Sequence, residues 1–201
     1  MLTVNHLTIT QGERQLWRDF SLQLLPGERI GIAAPSGWGK TTLGRVLAGW
    51  QPALSGDVLL DGKALPLNGY CPVQLVPQHP ELTFNPYRTT DRSLNDAWRP
   101  DDAQLERFAV QAEWLNRRPH QLSGGELARI ALLRALDPRT RVLIADEVTA
   151  QLDPRIQRSI WQELLLESRQ RPLSMIIFSH QQALLEQVCH RIIRFPAEGT
   201  E

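Results

Sequence analysis

The chain has 201 residues, of which 42% are hydrophobic and 22% are charged, a composition that can bury the core of a globular protein. Its 22 basic and 22 acidic side chains balance, so charge gives no argument for nucleic acid or an anionic membrane surface as a partner. No apolar run approaches the roughly 18 residues of a membrane span, and residues 1–6 lack the pattern of a secretory signal. Cys71 and Cys189 are too few for a disulfide framework or a metal knuckle, so we expect two reduced thiols in a cytosolic protein.

The N-terminal part of the chain has the pattern of a β-hairpin followed by further strands. Apolar and polar side chains alternate on both sides of a turn at residues 11–14, with Phe20, Leu22 and Leu24 on one face of the second strand. The strands predicted in this part lie at residues 2–9, 16–24, 29–33, 55–62 and 73–76.

A glycine-rich stretch at residues 34–42 lies between an apolar strand and a helical pattern that ends at Gly49. Gly37 and Gly39 allow the backbone to curl, so that successive N–H groups point into one hollow. The helix that starts near Lys40 adds its positive end to the same hollow. The stretch therefore indicates a site for phosphate groups.

The side chains of this stretch complete the parts of a P-loop for a nucleoside triphosphate. Lys40 supplies a positive charge for the β- and γ-phosphates, and the Thr41 hydroxyl can ligate Mg²⁺. The motif G-x-x-x-x-G-K-[ST] expects glycine where Ala34 stands, and a methyl group is tolerable there if φ stays negative. The predicted phosphate-binding residues are Ser36, Gly37, Trp38, Gly39, Lys40, Thr41 and Thr42. The alternative is an ordinary glycine-containing turn between a strand and a helix.

From residue 77 to residue 122 the strand pattern disappears and prolines interrupt the chain. Asp101 and Asp102 can cap a helix that runs to about Trp114. The apolar side chains expected on one side of this helix are Leu105, Phe108, Ala109, Ala112 and Leu115. We therefore predict a small helical subdomain inserted into an α/β body.

After the insert, helices and strands alternate, which indicates a parallel sheet with right-handed crossovers. The predicted elements are helices at residues 125–136 and 154–169 and strands at residues 141–145, 174–178 and 191–195. The first of these strands is followed by Asp146 and Glu147, at the strand end where α/β proteins bind ligands. Asp146 can hold Mg²⁺ through water, and Glu147 can orient or deprotonate an attacking water. The alternative is a pair of turn carboxylates after a core strand.

A second anion site is predicted at the start of the helix that follows the insert. Ser123 and Glu126 have the S-x-x-E spacing of a capping box, which is a structural role. Gly124 and Gly125 also bring backbone N–H groups close enough to bind an anion. One triphosphate cannot easily need this site and the P-loop of the same chain, so we infer that two molecules share it.

In this order, the motifs resemble those of the ATP-binding-cassette (ABC) ATPases over almost the whole chain. Residues 34–41 resemble Walker A, and residues 122–126 resemble the signature motif. Residues 142–146 resemble Walker B, and residues 151–153 resemble the D-loop. The resemblance implies an α/β P-loop NTPase of the ABC-ATPase fold, with an antiparallel β subdomain and a short helical insert. It implies a single domain, residues 1–201, with a RecA-like core at 1–76 and 123–201 and a reduced helical subdomain at about 77–122.

The resemblance also implies roles for individual residues. Glu147 would be the catalytic glutamate, and His180 the switch histidine that senses the γ-phosphate. Gln78 would be the Q-loop glutamine, which reaches Mg²⁺ and contacts the membrane partner. The implied metal-binding residues are Thr41, Gln78 and Asp146; the implied nucleotide-binding residues outside the P-loop are Ser123, Gly124, Gly125 and Asp153. The chain departs from the family pattern at Ala34, at Glu126 (usually Gln) and at Val148 (usually Pro).

One element of the family pattern is missing. An aromatic ring that stacks on adenine usually lies in the first turn, and Gln11 occupies about that place. Trp17 is a candidate substitute, although a tryptophan that packs at a strand end explains it equally well; Phe20 is expected in the core. Nucleotide affinity would then depend on the phosphates, with loose base selectivity.

Residues 78–86 resemble the Q-x-P-x-x-S-L-N-P stretch of the oligopeptide, dipeptide and nickel importer ATPases, although this chain is shorter. The resemblance implies the ATP-hydrolysing subunit of an importer for nickel, another chelated metal or short peptides, with ATP and Mg²⁺ as cofactors. It implies a second ABC ATPase in a heterodimer or homodimer, a membrane permease, indirectly a solute-binding protein, and no nucleic acid. The expected location is the cytoplasmic face of the inner (cell) membrane. Two alternatives stay open: an ATPase of a soluble enzyme assembly such as phosphonate breakdown, and a largely non-catalytic partner in an ABC heterodimer.

Overall fold

The computed structural model describes residues 1–35 and 37–195. The strands are β1 (Leu2–Gln11), β2 (Arg14–Leu24), β3 (Arg29–Ala33), β4 (Ser55–Leu60), β5 (Lys63–Ala64), β6 (Val73–Val76), β7 (Val142–Asp146), β8 (Ser174–Phe178) and β9 (Arg191–Arg194). The α-helices are α1 (Lys40–Leu47), α2 (Thr90–Asn95), α3 (Asp102–Arg107), α4 (Ala112–Leu115), α5 (Gly124–Ala135), α6 (Pro154–Gln170) and α7 (Gln182–Val188), with short 3₁₀ turns at Pro80–Thr83 and Pro119–Gln121. The strands form a four-stranded sheet, β2-β1-β4-β5, and a five-stranded sheet, β6-β7-β8-β3-β9.

The four-stranded sheet is antiparallel and contains the predicted hairpin. Phe20, Leu22 and Leu24 are buried on one face, as the alternation predicted. The register of β1 shifts against both neighbours near His6, whose φ is 50°. Opposite this point Gly56 has a φ of +91°, and a Cβ there would lie 2.5 Å from the Asn5 carbonyl oxygen. The sheet therefore requires glycine at this position of β4.

The five-stranded sheet is parallel, which confirms the architecture predicted from the alternation of helices and strands. All residues of β7 and β8 are buried, as expected for strands covered on both faces. Ile144 belongs to a core shared with α1 and the antiparallel sheet, whereas Leu143 and Ala145 belong to a second core with α5 and α6. The parallel sheet is thus the middle layer of the molecule.

Helix α1 lies close against the parallel sheet because Gly44 has no side chain. A Cβ on Gly44 would lie 3.0 Å from the Phe178 ring and 3.3 Å from Leu75. The helix ends just before Gly49, whose φ of 73° provides the predicted C-terminal stop. This packing brings the first turn of α1 next to the ends of β7 and β8.

The insert between β6 and α5 contains no strand, and all of its residues, 77–122, are described. The single helix predicted to run to Trp114 was wrong: the chain forms α3 and α4, separated at Ala109, whose φ is 51°. Ala109 and Ala112 are exposed, because the break turns Val110 and Trp114 inward instead. The Asp101 cap was correct, since its side chain accepts a hydrogen bond from the Gln104 N–H.

Helices α2 and α7 were not predicted. Helix α2 has six residues, and α7 has seven, with Leu185 and Val188 buried. Neither is long enough for a helical period to be distinguished from an irregular segment.

Within residues 1–35 and 37–195, no helix is long and apolar enough to cross a lipid bilayer. Cys71 and Cys189 are free, and burial raises the pKa of Cys189 to about 12.

Candidate functional site: a phosphate-binding cavity at the ends of four strands

Four neighbouring strands of the parallel sheet bring the predicted site residues together. Strands β3, β8, β7 and β6 run in the same direction, so the segments that follow them meet at one edge of the sheet. A cavity of about 380 Å³ lies at this edge. It is lined by Gln11, Gly37, Gly39, Lys40, Thr41, Gln78, Asp146, Glu147 and His180.

The loop between β3 and α1 has the backbone that a phosphate hollow needs. Gly37 and Gly39 have φ values of +84° and +76°, which side chains other than glycine rarely tolerate. A Cβ on Gly39 would also lie 2.9 Å from the Leu16 side chain. Ser36, predicted to bind phosphate, lies outside the described residues.

Ala34, the departure from the P-loop motif, is buried with 7% of its surface exposed. The described non-glycine residues with positive φ are His6, Asp19, Asp61, Ala109 and Glu147. Ala34 is therefore outside the left-handed region, and its methyl group imposes no backbone strain there.

The Lys40 side chain is hydrogen-bonded to the loop between β3 and α1. Its Nζ donates hydrogen bonds to the carbonyl oxygens of Ala34, at 2.5 Å, and Pro35, at 3.1 Å. Helix α1 begins at Lys40, so the first N–H groups of the helix also lie at the cavity. The ammonium group and these N–H groups together give the cavity a positive end.

Thr41 and Asp146 also line the cavity and contact each other. The Thr41 hydroxyl donates to Asp146 Oδ2 at 2.6 Å. Burial raises the pKa of the Asp146 carboxyl above its usual value, although the Thr41 hydrogen bond opposes the shift. Gln78 lines the same cavity. A hydroxyl, a carboxylate and an amide oxygen are ligands that suit Mg²⁺, so these residues fit the predicted metal site.

Glu147 has a left-handed backbone conformation, and both its N–H and its carboxylate are hydrogen-bonded. Its φ is 51°, and its N–H donates to the Phe178 carbonyl oxygen at 3.1 Å. The carboxylate, 8% exposed, accepts a hydrogen bond from the His180 N–H at 2.9 Å and lies 2.9 Å from His180 Nδ1. Ser179, which the sequence analysis did not identify, also donates to Glu147 at 3.4 Å. A strained residue held by several hydrogen bonds is typical of a functional site.

The signature residues lie at the start of α5 and do not line the cavity. The capping box is confirmed, since Ser123 Oγ accepts from the Glu126 N–H and Glu126 accepts from the Ser123 N–H. A Cβ on Gly124 would lie 2.6 Å from the Gln151 side chain, and one on Gly125 would lie 2.9 Å from Leu152. The two glycines therefore let the loop at residues 149–152 approach α5 closely.

Trp38, Thr42 and Asp153 are also outside the group of described residues that line the cavity. Asp153 caps α6 by accepting a hydrogen bond from the Arg155 N–H at 2.8 Å. The Trp38 ring lies 6.1 Å from the Phe195 ring. Trp38 and Thr42 are thus sequence neighbours of residues that line the cavity, whereas Asp153 caps α6, and none of the three is in the cavity wall.

Trp17 is a packing residue, so the candidate adenine-stacking role was wrong. Its side chain is 4% exposed, and its indole N–H donates to the Gly39 carbonyl oxygen at 3.1 Å. Its ring meets Phe20 and Phe195 edge-on, at 5.2 and 4.7 Å. Phe20 is in the core as predicted. Gln11 is the hairpin residue that reaches the cavity.

A phosphate loop, a carboxylate pair at the end of a buried strand and a central parallel sheet define a P-loop nucleotide hydrolase. A sequence profile described as "ABC transporter" matches residues 17–150. The chain belongs to this family. It is an ABC-type ATPase, which hydrolyses ATP to ADP and phosphate and serves a transporter, and the predicted fold class is confirmed.

Relatives and solved structures agree with the family. The chain is 30% identical to "Nickel import system ATP-binding protein NikE" of Staphylococcus aureus strain RF122 / ET3-1, over 96% of the chain and 85% of that protein. The same protein from strain N315 is also 30% identical over the same shares. This similarity confirms the resemblance to nickel and peptide importer ATPases.

Among solved structures, "Dimeric Structure of MJ0796, a Bacterial ABC Transporter Cassette" matches with a TM-score of 0.81 and 22% identity, covering 99% of this chain and 95% of that one. "Structure of ATP binding subunit of ABC transporter" also has a TM-score of 0.81, with 17% identity and coverage of 97% and 85%. At these identities the two structures support the fold alone.

Proposed function

We propose that the chain is the ATP-binding subunit of an importer for nickel ions. The observation that carries this proposal is the similarity to the NikE proteins, which extends over 96% of the chain. Residues 78–86, at the start of the insert, support the same subfamily. Short peptides are the other solute class that this stretch suggests. The subunit would act at the cytoplasmic face of the cell membrane, through a permease.

In this proposal the cavity binds the triphosphate of ATP. Lys40 and the N–H groups around Gly37 and Gly39 neutralise the β- and γ-phosphates. Lys40 would exchange its two loop carbonyl partners for phosphate oxygens, which are stronger acceptors because they are charged. Thr41, with Asp146 and Gln78, would hold Mg²⁺. The bound metal would supply neutralisation of phosphate charge.

The proposed catalytic residues are Glu147, His180 and Gln78. The Glu147 carboxylate orients or deprotonates the water that attacks the γ-phosphate. His180 lies 2.9 Å from that carboxylate and reaches the same cavity, so it can fix the carboxylate and sense the phosphate. Because the site works by positioning and charge, these contacts decide the rate more than covalent chemistry does.

A second ABC ATPase would complete the site. Ser123, Gly124 and Gly125 start a twelve-residue helix, yet they do not line the described cavity of their own chain. We propose that they cover the γ-phosphate bound to the partner ATPase, with Asp153 at the same interface. Hydrolysis removes the group that holds the two subunits together, so they separate.

The permease would dock in a groove next to Gln78. This groove, of about 260 Å³, shares Thr41 and Gln78 with the nucleotide cavity. Its rim includes the exposed side chains of Trp50 and Leu82, which are 50% and 73% accessible. Exposed apolar side chains around a groove suit an apolar helix of a partner. In the proposed division of the chain, the reduced helical subdomain at about 77–122 forms one side of it.

The test is purification of the tagged chain from native membranes, followed by identification of the co-purifying proteins and measurement of nickel uptake. We expect two permeases and a second ATPase, and loss of radioactive nickel uptake when the chain is deleted. A Leu82→Glu variant should lose the permeases and keep the second ATPase. Leu67→Glu, a change at an exposed leucine that does not line the groove, is the matched control.

Recovery of soluble enzymes alone would contradict the importer and favour a non-transport assembly. Unchanged nickel uptake combined with loss of peptide uptake would replace nickel by peptides as the solute. Retention of the permeases by Leu82→Glu would overturn the proposed docking groove.

A further inference from the structure

A chain of hydrogen bonds joins two loops that flank the catalytic carboxylate. One loop, residues 149–152, follows Glu147 and supports the signature glycines. The other loop, residues 179–181, carries His180. The glutamine that bridges them, Gln157, lies on α6 and has no part in the predicted site.

Gln157 uses both hydrogens of its amide for this bridge. Its Nε2 donates to Thr149 Oγ1 at 3.0 Å and to Gln181 Oε1 at 3.1 Å. Thr149 is 3% exposed, and its hydroxyl also accepts from the Trp161 indole N–H at 3.0 Å. The two acceptors belong to different loops, so the amide fixes the distance between them.

Each end of the bridge continues toward the site. On one side, the Gln181 N–H donates to Ser179 Oγ at 3.1 Å, and Ser179 donates to the Glu147 carboxylate. On the other side, the N–H groups of Ala150 and Leu152 close the turn by donating to the carbonyl oxygens of Glu147 and Thr149, at 3.0 and 3.1 Å.

The turn at residues 149–152 also packs against the start of α5. The side chains of Gln151 and Leu152 lie against Gly124 and Gly125, where a Cβ would approach to 2.6 and 2.9 Å. Such close contact means that the turn cannot shift without displacing the start of α5 or opening a gap.

We propose that Gln157 is a positioning residue that holds the His180 loop against the turn at residues 149–152. It does not touch the cavity, and it acts on ATP hydrolysis through the placement of His180 and Glu147. The inference rests on the proposed role of His180.

The test is a double-mutant cycle with Gln157→Met and Gln181→Met, because methionine keeps the side-chain length and removes both hydrogen-bonding groups. We expect kcat for ATP hydrolysis to fall about 10-fold in each single variant, with KM within about 2-fold of wild type. The double variant should lose no more than Gln157→Met alone, because Gln157→Met already removes the hydrogen bond that Gln181→Met removes. Gln162→Met, at an exposed glutamine of the same helix, is the matched control.

A second measurement is independent of ATP and of any partner. Amide hydrogen exchange at Ala150 and Leu152 should be faster in Gln157→Met than in wild type or Gln162→Met. Thermal unfolding shows whether each variant folds. If one single variant does not fold, the kcat and the exchange rates of the other single variant test the inference.

A folded Gln157→Met protein with wild-type kcat and wild-type exchange would overturn the inference. Multiplicative losses in the double variant would also overturn it, since they mean that the two glutamines act separately. If wild-type protein hydrolyses ATP but His180→Ala does too, the proposed role of His180 fails instead, whatever the exchange rates show.

Discussion

At the scale of single residues, several polar side chains of the proposed site are hydrogen-bonded within the protein, and one of them, Glu147, has a strained backbone. Glu147 has a φ of 51° and shares its carboxylate with His180 and Ser179. Lys40 and Thr41 are likewise hydrogen-bonded, to loop carbonyls and to Asp146. In the proposed function ATP therefore replaces existing hydrogen bonds of Lys40, and the proposed binding groups are already ordered by their contacts before it binds.

The first residue-scale prediction concerns Glu147→Gln. The amide keeps the size of the side chain but cannot accept a proton from water, so turnover should fall by about 10²-fold or more. ATP affinity should stay near that of wild type, because Lys40 and the loop N–H groups are untouched. Steady-state hydrolysis and equilibrium binding of ATP measure the two effects. A variant that hydrolyses ATP at the wild-type rate would contradict the role given to Glu147.

The second residue-scale prediction concerns Gln11→Tyr, which adds a ring at the hairpin position that lines the cavity. Aromatic stacking contributes about 0.5–1.5 kcal/mol. The Kd for ATP should therefore fall by about 2- to 10-fold. The Kd for inorganic tripolyphosphate should not change. Titration calorimetry with both ligands separates base contacts from phosphate contacts.

Gln15→Tyr, at an exposed hairpin residue outside the cavity, is the control for this prediction. Equal affinity for ATP and tripolyphosphate in all variants would mean that the base does not lie near Gln11.

At the scale of elements, the sequence predicted what depends on a regular period. Apart from the two-residue β5, the described strands of both sheets were predicted, because their apolar residues alternate or run continuously. The Ser123 cap was predicted from its S-x-x-E spacing, and the Asp101 cap from an acidic residue just before a helical pattern. The break at Ala109 was not predicted, because a left-handed alanine leaves no mark in the pattern. It depends on tertiary burial of Val110 and Trp114, which local propensity does not encode.

An element-scale prediction follows from the register shift in the antiparallel sheet. Gly56→Ala should lower the free energy of unfolding by about 2 kcal/mol or more, since its Cβ would collide with two backbone oxygens at a positive φ. Gly62→Ala is the control: its φ is also positive, at +76°, but nothing lies within 4 Å of the added atom. Urea unfolding measures both. Equal losses would show that the register shift relaxes.

At the scale of the whole molecule, the sequence was sufficient to predict which residues meet at the cavity. Three neighbouring parallel strands end at or just before Gln78, Asp146, Glu147 and His180, so topology brings these residues to the P-loop. Trp17 could not be placed from sequence, because stacking and packing leave the same residue type at a strand end. The sharing of ATP between two subunits stays a prediction, based on two predicted phosphate sites on different parts of one chain.

The most direct test of the account is the mass of the Glu147→Gln protein by light scattering, with ATP and Mg²⁺ or with ADP. It is measured alone and with the second ATPase recovered from membranes. We expect ATP, but not ADP, to produce a dimer with one of these partners, and Ser123→Arg to prevent it while ATP still binds. A protein that binds ATP but stays monomeric under both conditions would contradict the shared site.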